Sequence, residues 1–591
     1  MATQPIEDWA QLPWRKLERV VYRLQTRIFR ASERGSLQAV HSLQRLLMKS
    51  EAARCLAVRR VTQDNQGKNT AGVDGVKAVP PAQRMRLVGL LGQPDAIKPR
   101  PTRRVWIPKP GKTEKRPLGI PVMLDRAHQA LVKLALEPEW EARLEPNTYG
   151  FRPGRSVHDA IGALFQMLCF KDKYVLDADI QGCFDNITHS PLLNKLATYP
   201  KLRRTIKGWL QAGVLADGDW QPTERGSPQG GVVSPLLALI ALHGLETAIT
   251  SAFRNDDRPH VVVYADDFVV LHPTRAGVER AQQLAEAWLS GIGLQLKASK
   301  TRIGHTLHAI DGRVGFDFLG FSIRHYATGK TRRRRDGRLL RSHKLLIKPS
   351  TEAVKHHHQA LRAVVRGHKA ASQTALLIAL NPIVRGWAAY YRTVVAKAIF
   401  ASCDYHLLST LRHWAGRRHG QKSWKWVFNK YWHRGESGRL EFATSAGLRL
   451  VHHADTPIQR HVKVRGTASP YNGDLVYWSQ RLRQHPLTVG RLAILLKRQH
   501  GRCAWCGSLF LDRAAIEVDH IRPRVFNGKT DLTNLQLLHR HCHDQKSALD
   551  GSATRRHEYG VHAKNRETEE PNAGKLARSA LQTSRSREET A

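Results

Sequence analysis

The feature that most constrains this chain is a pair of adjacent carboxylates between two apolar runs. Residues 259–273 read PHVVVYADDFVVLHP, so Asp266 and Asp267 follow one β-rich run and precede another. Turn-forming residues bound both ends, which predicts a hairpin with the acids at its tip. Burying these charges costs on the order of several kcal/mol each unless a cation meets them, and hard divalent cations prefer carboxylate oxygens. The alternative is an Asp-Asp turn between two core strands.

A second acidic segment, residues 173–185 (KYVLDADIQGCFD), predicts a strand that runs into a turn. Asp177 and Asp179 are two residues apart, so on a strand their side chains face the same side. One carboxylate from this strand and the two acids of the hairpin would hold two divalent ions. Such a pair clamps the attacking and leaving oxygens of a phosphoryl transfer. For Asp177 and Asp185 we favour a capping or orienting role over metal ligation.

These segments resemble the palm of reverse transcriptases, and other blocks match that family in the same order. Residues 225–237 (RGSPQGGVVSPLL) resemble the branch encoded by group II introns. The likeness runs from about residue 10 to about residue 550. Its further blocks are residues 69–75, 107–109, 116–121, 149–156 and 315–321. The resemblance implies an RNA-directed DNA polymerase that uses deoxynucleoside triphosphates.

The resemblance also implies roles for individual residues. Asp179, Asp266 and Asp267 match the three catalytic metal ligands, which implies two Mg²⁺ ions. Phe184 matches the aromatic gate that crowds the sugar 2′ position of an incoming nucleotide. Lys109 and Arg116 match the basic pair that contacts the triphosphate. Gln229 lies in the loop that touches the nascent base pair. Cations there also suit developing phosphate charge. The alternative for Lys109 is a solvated surface charge.

Charge indicates the class of partner. The chain has 94 Lys and Arg against 50 Asp and Glu, a net charge of +44. Such a surface attracts polyanions, and its binding depends strongly on salt. The densest basic cluster, residues 332–335, precedes Asp336-Gly337, which predicts a hairpin turn. Between palm and thumb, we favour phosphate contact over a solvated loop for this cluster.

Length and residue usage indicate a multidomain cytoplasmic protein. The 591 residues predict about three to five domains. No stretch reaches the roughly 18 unbroken apolar residues of a membrane span, because Pro235 and His243 interrupt the longest candidate. The first residues lack the basic start and apolar core of a secretory signal. An odd number of cysteines, seven, argues against a disulfide framework.

Two regions have apolar residues at helical spacing. Residues 10–50 predict two amphipathic helices, and residues 351–415 predict a helical bundle that suits a polymerase thumb. Residues 381–392 also resemble domain X of maturases, which implies binding to intron RNA and a part in splicing. Trp387, Tyr390 and Tyr391 follow i, i+3, i+4 spacing and are predicted in the core. The predicted RNA-facing residues are Arg385, Arg392 and Lys397.

Residues 416–484 are rich in aromatic and basic residues. Bases stack on aromatic side chains beside cations in single-stranded nucleic acid complexes. The resemblance implies that this region helps to bind DNA. The alternative, the core of a small basic domain, stays open for all of these residues: Trp424, Trp426, Phe428, Tyr431, Trp432 and His433.

The C-terminal region resembles an HNH nuclease, a hairpin followed by a helix around a metal. EVDH at 517–520 is followed by Asn534-Leu535 and by HRHCH at 539–543. The resemblance implies that His520 is the general base, a role that suits a side chain whose pKa lies near neutrality. It further implies that Asp519 and His543 hold a divalent ion, Mg²⁺. Asn534 orients the loop or assists.

A cysteine knuckle precedes these residues. Cys503 and Cys506 have the Cys-x2-Cys spacing of zinc sites, and His539 with Cys542 keeps the same gap. Many relatives have a cysteine where this chain has His539, but histidine is also a zinc ligand. We predict a structural zinc site. The alternative is a knuckle without metal.

The chain is therefore predicted to be a multidomain α+β protein with right-hand polymerase fingers and palm, a helical thumb/maturase domain and a small zinc-stabilised ββα-metal HNH domain. The predicted regions are a helical extension with the start of the fingers (1–95), fingers and palm (96–330), thumb and domain X (331–415), a basic DNA-binding region (416–484), the HNH endonuclease (485–552) and a disordered tail (553–591).

The resemblance implies a group II intron-encoded protein that binds intron RNA and a DNA target site. It would act in splicing and in mobility by target-primed reverse transcription. One alternative is a splicing-only maturase with a decayed polymerase, which the intact acids argue against. The other is a host-adapted reverse transcriptase, which the appended maturase and HNH regions disfavour.

Overall fold

The structure is a computed structural model of the chain. It describes residues 9–93, 95, 97–108, 114–327, 343–434, 438, 440–473, 477–478, 481, 491–510 and 516–552. Four predictions lie outside these residues: the triphosphate contact of Lys109, the basic cluster 332–335, the hairpin turn at Asp336-Gly337 and the tail 553–591.

Helices form the N-terminal part, surround the palm and build the thumb. In chain order they are α1 Trp14–Glu33, α2 Leu37–Lys49, α3 Glu51–Arg59, α4 Pro81–Leu91, α5 Met123–Arg143, α6 Val157–Leu168, α7 Cys183–Asn186, α8 His189–Leu196, α9 Pro200–Gln211, α10 Ser234–Leu242, α11 Leu245–Ser251, α12 Arg275–Ser290, α13 Thr351–Gly367, α14 Gln373–Tyr391, α15 Lys397–Arg418, α16 Trp424–Tyr431, α17 Arg491–Arg498 and α18 Arg540–Leu549.

The strands form small, mostly antiparallel sheets. They are β1 Thr102–Pro108, β2 Lys115–Ile120, β3 Tyr174–Asp179, β4 Val214–Ala216, β5 Asp219–Gln221, β6 His260–Tyr264, β7 Asp267–His272, β8 Arg302–His305, β9 Phe316–Phe318, β10 Phe321–Ala327, β11 His343–Pro349, β12 Trp432–Arg434, β13 Leu440–Phe442, β14 Ile516–His520 and β15 Leu535–His539.

The predicted N-terminal helices are confirmed as α1 and α2. Val21, Leu24 and Ile28 of α1 are buried in a core shared with α3 and α5. The helix α3 continues into one π-helical turn, Arg60–Asp64. The N-terminal domain thus packs on the long helix that leads into the palm.

The palm sheet has the strand order β6-β7-β3-β8 and is covered on both faces. Val261, Val263 and Phe268 face a core formed with the palm helices, whereas Val262 and Val269 face a second core shared with α6 and the thumb. This alternation follows from the period of two along a strand. The predicted hairpin of β6 and β7 is confirmed, with Tyr264 paired to Asp267.

The thumb is a bundle of α13, α14 and α15, and it has the predicted helical character. Trp387, Tyr390 and Tyr391 are buried, as predicted. The fingers are the sheet β2-β1-β4-β5.

A segment after the thumb, residues 456–473, which we call the strap, runs back over the palm to the N-terminal domain. The backbone N–H of Val464 and the His461 ring bond Asp159 of α6, both at 2.8 Å. Tyr471 donates to Glu137 at 2.7 Å. Long-range polar contacts thereby tie the strap to α6 and α5.

One window among the described residues, Ser234–Ser251, has the length and apolar composition of a membrane span. It is divided between α10 and α11, and 56% of it is buried inside the protein. A buried core helix satisfies the same criteria, so the window alone is weak support for a membrane span.

Candidate functional site

The two acidic segments meet at one end of the palm sheet. Asp179 ends β3 and lies directly across from Asp267, the first residue of β7. Ala265 has a left-handed backbone (φ 56), which makes the tight turn that carries Asp266. Gly150 backs this turn closely, since a Cβ at Gly150 would lie 2.4 Å from the Ala265 nitrogen. The structure therefore brings the three predicted carboxylates together.

These carboxylates carry more negative charge than their neighbours balance. Lys300 Nζ lies 2.9 Å from Asp179 Oδ2. Burial, followed by the charge of Asp179, raises the pKa of Asp266. Burial and the charges of Asp266 and Asp179 raise the pKa of Asp267 well above its usual range. Asp266 Oδ1 is buried and has no hydrogen-bond partner in the part of the chain that the structure describes. This donor set fits hard divalent cations such as Mg²⁺.

A cavity of about 1370 Å³ opens beside the acids. Its walls include Asp179, Asp266 and the predicted nucleotide-contacting residues Arg116, Phe184 and Gln229. The Phe184 ring packs edge-on against Phe151, with centroids 5.9 Å apart. Asp179, Asp266, Arg116 and Phe184 thus line one cavity.

Asp177 lies beside the acids but has its own partner. Arg302 Nε of β8 is 3.3 Å from Asp177 Oδ2. Burial raises the pKa of Asp177 to about 6, and Arg302 opposes that rise. This ion pair agrees with the orienting role favoured from the sequence.

The two arginines predicted to face RNA have different environments. Arg385 is half-buried on α14, whereas Arg392 is only 6% exposed. Arg392 is the C-cap residue of α14 and keeps a right-handed helical backbone (φ −61, ψ −13). Arg392 is largely buried, and its predicted RNA contact is not tested by this structure. An RNA contact of Arg385 stays a prediction.

The aromatic residues of 416–484 divide between core and surface. Tyr431 and Trp432 are buried in the thumb core, whereas Trp424 and Trp426 are 49% and 40% exposed. Lys430 Nζ lies 4.8 Å from the centre of the Trp426 ring. Tyr431 and Trp432 therefore belong to the core. For Trp424 and Trp426, base stacking stays a prediction.

The C-terminal module, residues 491–552, has the predicted hairpin and helix, formed by β14, β15 and α18. His543 Nε2 lies 3.4 Å from Asp519 Oδ1, and His543 Nδ1 lies 2.7 Å from Glu517 Oε2. His520 Nε2 is 3.0 Å from Thr530 Oγ1. The structure brings the predicted base and the two predicted metal ligands to one end of the hairpin.

Asn534 holds the loop between the two strands. Its amide nitrogen donates to the carbonyl oxygens of Arg522 (3.0 Å) and Lys529 (2.7 Å). Its side-chain oxygen accepts the Arg522 amide at 2.9 Å. These bonds match the loop-orienting alternative.

Asp519 already has cationic partners. Lys546 Nζ lies 3.2 Å from Asp519 Oδ2 and donates at 2.8 Å to the His520 carbonyl. Burial alone would raise the pKa of Asp519, but hydrogen bonds from His543 and Gln536 lower it. Burial opposes protonation of His543, yet Asp519 and Glu517 raise its pKa to about 9. Binding of a divalent ion by Asp519 and His543 therefore requires His543 to lose a proton.

The four knuckle residues form one cluster. The ligand atoms of Cys503, Cys506, His539 and Cys542 all lie within 4.8 Å of one another, and all four residues are buried. Hydrogen bonds from Cys506 and then Cys542 lower the pKa of Cys503. Three sulfurs and one imidazole fit tetrahedral zinc.

Sequence reasoning missed three charged side chains at these sites: Lys300, Glu517 and Lys546. Lys546 follows His543 by three residues, and i, i+3 spacing on the predicted helix was an available signal. Lys300 belongs to no motif that we identified. Its position depends on how the loop before β8 folds back onto Asp179.

Four protein-family models match separate parts of the chain. They are N-terminal domain of reverse transcriptase (residues 9–91), Reverse transcriptase (RNA-dependent DNA polymerase) (107–323), Group II intron, maturase-specific domain (354–432) and HNH endonuclease (503–549).

The alignments with three similar curated proteins cover different shares of the lengths of those proteins. Protein YkfC of Escherichia coli (strain K12) is 30% identical over 323 residues, 48% of this chain and 83% of YkfC. Group II intron-encoded protein LtrA of Lactococcus lactis subsp. cremoris is 36% identical over 177 residues, 29% of each chain. Maturase-like protein 1 of Euglena gracilis is 29% identical over 214 residues, 34% of this chain and 44% of the relative. The matched part thus spans most of YkfC but under a third of LtrA.

The polymerase, maturase-specific and nuclease matches agree with the geometry of the palm and of the C-terminal module. The chain belongs to the family of group II intron-encoded reverse transcriptases and maturases, and it carries an HNH endonuclease domain.

Proposed function

We propose that this chain is the RNA-directed DNA polymerase and maturase of a group II intron, and that its HNH domain nicks DNA during intron mobility. The observation that carries the proposal is the cluster of Asp179, Asp266 and Asp267 beside a cavity that Arg116, Phe184 and Gln229 also line. The same chain also contains a maturase-specific domain and an HNH domain.

In the palm, Asp179, Asp266 and Asp267 would hold Mg²⁺, which when bound supplies charge stabilisation to phosphoryl oxygens. Arg116 adds positive charge to the wall that would face the triphosphate. Phe184, supported by Phe151, restricts the space for a sugar 2′ substituent.

In the nuclease, His520 accepts a proton from the attacking water, and Thr530 orients its ring. Asp519 and His543 would hold the divalent ion, which when bound polarises the scissile phosphate. Lys546 fixes the backbone of His520 through its carbonyl oxygen. Zinc on Cys503, Cys506, His539 and Cys542 would stabilise the module.

The proposed partners are intron RNA, a DNA target site and deoxynucleoside triphosphates, and the proposed location is the cytoplasm. The net charge of +44 supports polyanion binding with strong salt dependence. The exposed pair Trp424 and Trp426, with Lys430 beside it, is a candidate stacking surface for DNA.

The proposal is tested with an intron RNA transcribed from the DNA that flanks the gene. The parent protein should accelerate splicing and synthesise cDNA, while Asp266→Ala should keep splicing and lose cDNA, because the basic surface does not depend on the palm acids. Extension by Asp266→Ala at a tenth or more of the parent rate contradicts the metal assignment. Splicing without cDNA from the parent identifies a splicing-only maturase, and cDNA without splicing identifies a host-adapted enzyme.

A further inference from the structure

The HNH module and the N-terminal domain meet at a buried polar cluster, which we call the hub. Its members are Glu18 of α1, Arg59 of α3, and His539 and His541 at the start of α18. The Glu18 and Arg59 side chains are 16% and 10% exposed, and the two histidines are nearly fully buried. Buried charges of this kind need close partners.

Arg59 bridges the two domains. Its Nη2 donates to Glu18 Oε1 at 2.6 Å, and its Nη1 lies 2.9 Å from His541 Nε2. The guanidinium also lies over the Trp14 ring, 4.7 Å from its centre, and His541 packs edge-on against the same ring. A planar guanidinium fixes several partners at once, so these contacts set the orientation of the module.

The hub reaches the proposed zinc site through His539. Its Nδ1 lies 3.2 Å from Cys506 Sγ, so Nδ1 is the nitrogen directed at the cysteines. Ligand atoms of Glu18, His539 and His541 lie within 4.8 Å of one another. Glu18 Oε2 is buried and has no hydrogen-bond partner among the described residues. Glu18 therefore has an unused carboxylate oxygen, and one of its two carboxylate oxygens lies within 4.8 Å of a ring nitrogen of His539.

We propose that Glu18 accepts the Nε2–H of His539 when zinc is bound, so that the N-terminal domain supplies the outer partner of the nuclease zinc site. Metal-bound histidines generally donate their second ring N–H to such a group, which fixes the ring and raises its basicity. A cysteine at position 539 would ligate zinc but has no second donor. Zinc binding and docking of the nuclease on the polymerase then favour each other. This inference rests on the proposed zinc site.

Docking also has a consequence for the polymerase cavity. Arg502, residues 507–509 and His539 of the module line the same cavity as Asp179 and Asp266. Loss of zinc would therefore release one wall of that cavity.

The test compares zinc release from full-length protein in excess chromogenic chelator. Glu18→Gln should release zinc about tenfold faster than the parent, the size of effect typical of an outer-shell substitution. The matched control is Glu33→Gln, an exposed glutamate at the end of the same helix. Equal rates for Glu18→Gln and the parent overturn the proposal. A parent protein that purifies without zinc instead refutes the zinc site itself.

A second variant separates this link from general damage to the N-terminal domain. His539→Cys keeps four zinc ligands but removes Nε2. In that background Glu18→Gln should not change the zinc release rate further. If it still accelerates release, Glu18 acts by another route and the proposal fails.

Hydrogen exchange reports the docking directly. Stripping zinc from the parent should increase exchange in Arg60–Asp64 and Trp9–Gln11, because the Gln545 side chain donates to Ala10 across the interface. Changes confined to residues 491–552 contradict the link.

Discussion

The palm and the HNH module both place carboxylates at one end of an antiparallel strand pair, but they balance the charge differently. In the palm, three acids share Lys300, whose side chain is 47% exposed. In the HNH module, Asp519 has the buried Lys546 (8% exposed), His543 and Gln536 as partners. The pKa of Asp267 is accordingly raised and that of Asp519 lowered.

The difference indicates how each site relates to its metal. The palm acids destabilise the fold until a cation joins them, which is a cost that active sites commonly carry. The nuclease site is neutralised by its own side chains, so a metal there replaces a proton and competes with a lysine. We therefore expect substitutions at matched positions in the two sites to have different, and sometimes opposite, effects.

The largest expected effect tests whether the two sites act independently. His520→Ala should slow nicking of target DNA by about 1,000-fold, near 4 kcal/mol, because the proton acceptor is lost. Primer extension on an annealed template should be unchanged, because the palm acids are untouched. Single-turnover nicking and extension assays on the same preparation measure both. Nicking at the parent rate would show that the nuclease interpretation is wrong.

The next effect concerns the two lysines. Lys546→Met should lower the local stability of the β14–β15 hairpin by about 3 kcal/mol, because it leaves a buried carboxylate with one cation fewer. Lys300→Met should change palm stability by less than about 1 kcal/mol, because its ion pair is partly solvated. Native-state hydrogen exchange of the two strand pairs gives both values. Equal losses would remove the distinction between the sites.

Local sequence was sufficient for the parts of the sites that lie within one supersecondary unit. The hairpin that carries Asp266 and Asp267 follows from two apolar β-rich runs and their turn residues, and the knuckle follows from the spacing of its cysteines. Lys300, the hub and the strap depend on segments distant in the chain, for which no local pattern exists. The sequence likewise contains no local signal that Arg392, the C-cap of α14, is only 6% exposed.

A third buried carboxylate, Asp159, sharpens the comparison because it lies outside both sites. Burial alone would raise its pKa, but His461 and Arg481 lower it below the usual 3.8. A depressed pKa contributes stability above pH 3.8 that is lost as pH falls further. We expect the free energy of local unfolding of the strap to fall by about 2 kcal/mol in acid. Asp159→Asn should lack that protection at every pH, as read by hydrogen exchange of residues 456–473.

The central claim is that the palm carboxylates destabilise the fold when no cation is bound. Two matched substitutions, measured in magnesium-free buffer with zinc retained, test it most directly. Asp267→Asn should raise the free energy of local unfolding of β3 and β7 by about 1 kcal/mol, because it relieves repulsion among like charges. Asp519→Asn should lower that of β14 and β15 by about 2 kcal/mol, because Lys546 and His543 lose their partner. Opposite signs from the two exchange measurements are the predicted result. A palm destabilised by Asp267→Asn, or a nuclease hairpin indifferent to Asp519→Asn, would contradict it.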